Sequence, residues 1–203
     1  RRFLDMELCQ LDSIYLFHLS NYNKVLLQRN RLLKDYGFYP EAGTMLDVID
    51  EQLIQYGTAL IRSRRVFTDQ LQEIIGGIHS SLSGRKEDLT VTYEPNAEET
   101  EFGQKLQENR EKDLRMKQTM TGPHRDDLGF AVHGVDLRKY GSQGQQRTTA
   151  LSLKLAEIEI VKQSVKDTPV LLLDDVLSEL DGSRQRYLLE NIHDIQTMIT
   201  CTG

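Results

Sequence analysis

Pro169-Val-Leu-Leu-Leu-Asp-Asp175, preceded by Tyr140-Gly-Ser-Gln-Gly-Gln-Gln-Arg147, decides how this chain folds. Four apolar residues, Val170 to Leu173, read as a central strand of a parallel sheet, buried on both faces. Ligands of open α/β sheets bind at the carboxyl ends of strands, where Asp174 and Asp175 stand. Strand side chains alternate, so the two carboxylates point in different directions. One suits Mg²⁺, which takes one or two carboxylates together with waters and phosphates. The other can orient or deprotonate an attacking water. The plainer alternative is a pair of acids capping the next helix, one of them buried in a salt bridge.

The upstream stretch is a glycine-containing turn opening a helix. Gly141 and Gly144 are expected to adopt positive φ or to let a ligand approach closely. Ser142 can cap the helix, and the unpaired N–H groups at its start make an anion site sharpened by the helix dipole. A cap alone explains Ser142 and one glycine but leaves Gly-Gln-Gln-Arg unexplained. Arg147 carries the wrong charge for a first helical turn, so it is expected to pair with an anion or a carboxylate. Downstream, Ser178-Glu-Leu-Asp181 follows the aspartates closely, and Asp181 or Ser183 could simply cap the next helix. Upstream, Gly122-Pro-His-Arg-Asp-Asp127 has two readings: His124 and Arg125 contact phosphate, or an Arg–Asp pair braces a hairpin. A phosphate loop of the form Gly-x-x-x-x-Gly-Lys-Ser/Thr is absent from the sequence.

Outward from these motifs, the order is a β-hairpin (128–132 and 135–137), a helix from about Gln145 to Gln163, the strand 170–173, a helix from Ser183 to Ile192 and a strand 197–200. That order implies an α/β layer. The first part of the chain has a different texture. Apolar residues recur at helical spacing from Leu11 to Lys34 and from Glu41 to Leu82, with Gly37 and Pro40 between them, which predicts an antiparallel helical hairpin. Leu89 to Tyr93 alternates as a strand, and Glu98 to Lys117 reads as a third helix. The expected division is a helical arm over 1–120 and an α/β part over 121–203.

Composition bounds the rest. The 203 residues carry a net charge of −6, and the two parts divide it evenly, with 16 basic and 19 acidic residues up to 120 and 9 and 12 beyond. A global electrostatic case for nucleic acid is therefore missing, and DNA contact would need local clusters such as Arg62-Ser-Arg-Arg65 or the run from Arg110 to Lys117. The two cysteines, Cys9 and Cys201, fall outside any metal-ligand spacing, which suits a reducing cytoplasm. The sequence has no membrane span or signal-peptide profile. The chain starts at Arg1-Arg-Phe and stops just past a strand, so a piece of a longer protein is expected.

Taken together, these motifs resemble the C-terminal part of the RecF family of bacterial DNA replication and repair proteins, which belong among ABC-type ATPases near the SMC proteins. Gly122 to Asp127, Ser142 to Arg147 and Leu171 to Asp181 carry the resemblance, and Arg1 to Asp5 and Gln28 to Leu33 extend it to the helical part. The resemblance implies a partial ABC-type ATPase domain with an appended antiparallel helical arm. It implies that Ser142, Gln143, Gly144 and Gln145 form the signature facing ATP. It makes Asp174 the Walker B ligand of Mg²⁺, places Asp175 where most such ATPases carry a catalytic Glu, and makes Ser178 to Asp181 the D-loop. It further implies slow ATP hydrolysis in an ATP-dependent homodimer, activity at single- and double-stranded DNA gap junctions, and recombination mediator partners of the RecR and RecO kind. This piece alone would then be inactive. Ile199-Thr-Cys-Thr202 stands where such ATPases usually carry a switch histidine. The alternative is a binding module whose helical arm docks DNA or a partner independently of nucleotide; an SMC-type or other ABC ATPase with a chromosome-organising role is weaker, because roughly 40 residues of helix reach only about 60 Å.

Overall fold

The computed structural model describes residues 1–165, 170–177, 180–192 and 195–200. The chain forms two compact units, each assembled from two stretches: Arg1–Thr68 with Thr92–Gly129, and Asp69–Val91 with Phe130–Gly203. The expected division followed chain order at about residue 120. The units depart from that order because one long helix and two strands each begin in one unit and end in the other.

The first unit is largely helical. Helix α1 spans Arg2–Leu11 and α2 spans Ser13–Asp35. Asp12 separates them: its backbone is extended, and its side chain accepts the Ile14 N–H at 2.7 Å, capping α2. After a 3₁₀ turn at Tyr36–Phe38, helix α3 runs from Ala42 to Leu82 and leaves this unit beyond Thr68. The predicted stripe is seen at Leu46, Leu53 and Leu60, all fully buried. On α2 the buried face includes Tyr15, Tyr22 and Val25, and it also includes an arginine, Arg29. The single helix expected over 98–117 is two, α4 at Phe102–Glu108 and α5 at Arg110–Met116. They break at Asn109, whose φ −86°, ψ 0° leaves the helical basin. Gly122 has φ +132°, and a Cβ there would stand 2.6 Å from the Tyr22 hydroxyl, so this turn demands glycine.

The second unit contains the α/β part. Strand β1 (Leu89–Glu94), β2 (Asp127–Val132) and β3 (Val135–Asp136) form a sheet in that order, β1 and β2 each continuing into the first unit. The predicted hairpin pairs Ala131 with Asp136 and Val132 with Val135. Its turn residues His133 and Gly134 both have positive φ, as a two-residue hairpin requires. Leu137 is not strand: Asp136 accepts the Arg138 N–H and starts helix α6, Leu137–Tyr140. Helix α7 follows at Gln143–Val165, then β4 (Leu171–Asp174), α8 (Gly182–Asn191) and β5 (Thr197–Thr200). β4 and β5 pair in parallel, Leu171 with Thr197 through Asp174 with Thr200. A core of Leu82, Leu151, Leu155, Leu173, Leu188 and Ile195 joins α3, α7, α8 and the sheet.

One expectation about β4 is corrected. It is buried on one face only: Leu173 is 7% exposed, but Leu172 is 69% exposed and its neighbour Met198 59%. Alternation sends Leu173 into the core and Leu172 to the opposite face, and among the described residues the helices cover only the Leu173 face.

Candidate nucleotide-facing site

The acid couplet sits at the open carboxyl edge of β4. Asp174 is exposed, and its Oδ1 accepts the Thr200 hydroxyl at 2.5 Å. The Asp175 N–H is shared between Thr200 O at 3.2 Å and Thr200 Oγ1 at 3.1 Å. Asp175 has φ +53°. A non-glycine residue held in the left-handed region costs about 1–3 kcal/mol and marks a turn fixed by its surroundings. That turn redirects the chain immediately after the strand and leaves both carboxylates beside a cavity of about 280 Å³, also lined by Arg147, Lys154 and Leu180. Both aspartates are exposed.

These groups fit a Mg²⁺ that arrives with phosphates. An exposed aspartate and its neighbour supply one or two hard oxygen ligands, which is what Mg²⁺ takes from a protein when phosphates and waters complete its octahedron. They do not form a protein-only cage: among the described residues no group of three or more His, Cys, Asp or Glu side chains is placed to hold a metal.

The turn before α7 is built as a reciprocal cap. Ser142 Oγ accepts the Gln145 N–H at 3.2 Å, and Gln145 Oε1 accepts the Ser142 N–H at 3.0 Å, a capping box. Ser142, Gln143 and Gly144 are exposed at the helix start. The expected positive φ at the glycines is not found. Gly141 is extended, at φ −68° and ψ 135°, and Gly144 lies within the first turn of α7. Gly141 is needed for space, since a Cβ would fall 2.5 Å from Leu137 O. At Gly144 a Cβ would meet nothing closer than Ser142 Oγ at 4.0 Å, so the fold itself leaves that position open. Arg147 lines the cavity at the aspartates.

Asp181 accepts the Arg184 N–H at 3.0 Å and pairs with Arg184 Nη1 at 2.9 Å, so it caps α8, as the plainer reading of that segment expected. Ser178 lies outside the described residues, as do Cys201 and Thr202 of the segment that stands in place of a switch histidine.

In the first unit, two proposed phosphate or DNA contacts turn out to be internal. The His124 ring donates from Nε2 to Thr119 O at 3.0 Å and accepts the Tyr22 hydroxyl on Nδ1 at 2.7 Å. Burial, with Arg125, Arg1 and Arg29 nearby, pushes its pKa down to about 4. It is a neutral structural histidine, not a phosphate ligand. The sign of its pH effect follows from linkage. Folded His124 has the lower pKa, so its contribution is complete above about 6.5 and is lost as pH falls toward 4. The urea midpoint should therefore correspond to about 1 kcal/mol less stability at pH 5.5 than at pH 7.5, and His124→Gln should flatten that slope. An unchanged slope in the variant would exclude His124 as its source.

Arg64 of the basic cluster is likewise internal, contacting Asp5, Tyr15, Pro123 O and Asp126, and Asp126 therefore pairs with Arg64 instead of Arg125. Arg62 and Arg65 pair with Glu99 and Glu98, and Arg110 with Asp47 and Asp50. Arg62, Arg64, Arg65 and Arg110 of these clusters are thus matched by carboxylates. Sequence reasoning also missed Arg29, whose fully buried guanidinium pairs with Asp50 at 2.5 Å and Asp113 at 2.6 Å. Its partners lie on α3 and α5, and no local sequence signal joins them.

No protein-family model matches the chain. Among curated proteins it is 59% identical over 203 residues to the DNA replication and repair protein RecF of Agathobacter rectalis, a match covering 100% of this chain and 56% of that protein. It is 58% identical to RecF of Lachnoclostridium phytofermentans, with the same coverage. RecF of Halalkalibacterium halodurans is 48% identical over 214 residues, spanning 100% of this chain and 58% of that protein. Over its whole length the chain is thus similar to RecF proteins. A solved structure of the recombination mediator protein RecF with ATP, from the RecFOR pathway, superimposes with a TM-score of 0.90 at 34% identity, over 100% of this chain and 57% of that one. The mixed helical and sheet architecture is therefore that of RecF. The chain spans a little over half the length of the RecF relatives it matches. Among the described residues no helix is long and apolar enough to cross a membrane.

Proposed function

We propose that this chain is the signature-bearing part of an ATP-dependent DNA-repair ATPase of the RecF kind, acting in DNA replication and recombinational repair from the cytoplasm. The observation that carries this reading is the pairing of an exposed, capped helix start at Ser142 to Gln145 with an exposed acid couplet at the carboxyl edge of a parallel strand. Likeness to a RecF structure with ATP supports it.

In this proposal residues 121–203 are the C-terminal part of an ABC-type ATPase domain and residues 1–120 a helical arm. Ser142, Gln143, Gly144 and Gln145 face the terminal phosphate of ATP held by a second subunit. The N–H groups and dipole at that helix start favour an anion and stabilise the closed dimer only while the phosphate is present. Asp174 would hold Mg²⁺, which would supply neutralisation of phosphate charge, and Asp175 would orient the attacking water. Ser178 and Asp181 line the opposing nucleotide. Asp175 is one methylene shorter than the usual Glu, which suits slow, switch-like turnover. ATP would hold a homodimer on DNA at gap junctions, where it works with recombination mediator proteins of the RecR and RecO kind to load recombinase.

The test uses the chain joined to the N-terminal segment its RecF relatives carry. ATP should drive dimerisation of that protein in sedimentation velocity, while the 203 residues alone bind ATP negligibly. Ser142→Arg fills the approach to the helix start and should weaken ATP-driven dimerisation on the order of 100-fold, the scale of losing preorganised anion donors. Dimerisation and ATP turnover both unaffected by Ser142→Arg would refute the signature assignment.

A further inference from the structure

Behind the turn at Ser142, a run of polar side chains leads into the interior of the second unit. Gln145, whose Oε1 is committed to the Ser142 N–H, donates from Nε2 to Glu87 Oε1 at 3.1 Å. The other oxygen of the same carboxylate, Oε2, lies 3.1 Å from His79 Nε2. His79 is fully buried near the C-terminal end of α3, and its Nδ1 is 2.9 Å from Ser152 Oγ on α7. Thr148, one turn before Ser152, gives its hydroxyl to Gly144 O at 2.7 Å. The run therefore starts and ends at the helix start that the proposed function assigns to phosphate.

Proton bookkeeping fixes the direction of the bonds to Glu87. Glu87 can only accept, so His79 carries a proton on Nε2, while Ser152 Oγ stands within hydrogen-bond distance of both His79 Nδ1 at 2.9 Å and Thr148 O at 2.8 Å. Burial lowers the His79 pKa, against the opposing pull of Glu87 and Asp88, with Arg184 acting in the same sense as burial. The Gln145 amide then has one permitted orientation. Flipped, its oxygen would face the Glu87 carboxylate and its NH₂ would face the Ser142 N–H, two repulsive contacts in place of two bonds. The carboxylate at 87 thus decides whether the Ser142 N–H is engaged and how the first turn of α7 is set.

We propose that Glu87, held by His79, is a positioning residue for the phosphate-facing turn, acting through the Gln145 side chain on the Ser142 backbone. This rests on the reading of that turn as the nucleotide-facing one. Glu87 is not catalytic in this scheme, since it touches Gln145 and no reacting atom. Its role is to keep the helix start preorganised, so that an incoming triphosphate need not reorder it.

The experiment is a double-mutant cycle in the complete protein, using Glu87→Gln, Gln145→Ala and the pair. It is read first by hydrogen exchange at the Ser142 amide without nucleotide, then by ATP-driven dimerisation. Glu87→Gln keeps shape, but its single acceptor oxygen cannot serve both Gln145 and His79. Exchange at Ser142 should rise about tenfold in either single variant and no further in the pair, while β4 and β5 amides keep their wild-type protection. The ATP-driven dimer should weaken about tenfold in Glu87→Gln, again without additional loss in the pair. His79→Gln is the second probe and should reproduce the Ser142 effect in part. Additive effects, or faster exchange spread evenly over β4 and β5, would overturn the positioning role, because either marks Glu87 as general support. Coupled exchange in a wild-type protein that does not respond to ATP would uphold the positioning role and overturn the nucleotide reading. An ATP-responsive wild type with unaltered exchange and dimerisation in Glu87→Gln would do the reverse.

Discussion

Replacing Arg64 with Ala should cost about 3–5 kcal/mol of stability, the range for stripping one partner from a buried ion pair. The guanidinium is 1% exposed. Its Nη1 serves Asp126 Oδ2 at 2.7 Å and Pro123 O at 2.6 Å, its Nη2 serves Asp5 Oδ1 at 2.7 Å, and its Nε serves the Tyr15 hydroxyl at 2.9 Å. Removing it takes their shared cation from the Asp5 and Asp126 carboxylates, and the Asp126 side chain is fully buried. Asp126 would keep only the Asn96 N–H at 2.9 Å and the Tyr93 hydroxyl among the contacts described. One carboxylate should then take up a proton in the folded variant, so the deficit against wild type should shrink as pH falls toward 5. Arg64→Lys keeps the charge but cannot fork to four acceptors, and should lose about 2 kcal/mol. The chain has 8 tyrosines and no tryptophan, so tyrosine emission can follow urea unfolding, with Tyr15 and Tyr93 of this network among the reporters. A loss below about 1 kcal/mol in Arg64→Ala would mean that the network is not holding the unit together.

The same residue shows where sequence reading stops. Helical spacing located α2 and α3, and the alternation at Leu89 located β1, because periodicity is a local signal. The Arg62-Ser-Arg-Arg65 cluster could be picked out only as a local basic run, because charge in a sequence carries no sign of what it faces. Asp5 and Asp126, the carboxylates that neutralise Arg64, are brought to it only by the tertiary fold. Arg29 was hidden for the same reason. At the turn, the Ser142-x-x-Gln145 spacing of a capping box was available in the sequence. The glycines drew attention to positive φ instead, whereas Gly141 is required for lack of a Cβ. The apolar run 170–173 predicted the strand correctly. It could not tell burial on one face from burial on two, since that depends on which other segments lie across the sheet. The acid couplet was the most legible feature of all: its place at the carboxyl end of a parallel strand follows from the strand's existence and direction.

That couplet supports the second large effect. In the complete protein, Asp174→Asn should reduce Mg²⁺-dependent ATP turnover on the order of 100- to 1000-fold, the scale of deleting one electrostatic group from a phosphoryl-transfer site. Asn can still accept the Thr200 hydroxyl through its Oδ1, so the β4–β5 edge should stand and the loss should be one of charge. Unfolding midpoints should therefore match wild type, and raising Mg²⁺ should recover part of the activity, because the variant weakens metal capture first. Asp175→Asn makes a different prediction. Its φ of +53° is one that Asn tolerates well, so the variant removes the carboxylate without adding backbone strain. It should leave Mg²⁺ dependence and ATP-driven dimerisation near wild type while turnover falls, as expected of a group that positions water and holds no metal. Asp175→Ala would confound this by adding strain at the same turn. If Asp174→Asn and Asp175→Asn show the same Mg²⁺ profile, the two carboxylates share one role, and the division of labour argued from their alternating directions is wrong. If neither changes turnover, the carboxyl edge of β4 is not where the reaction occurs.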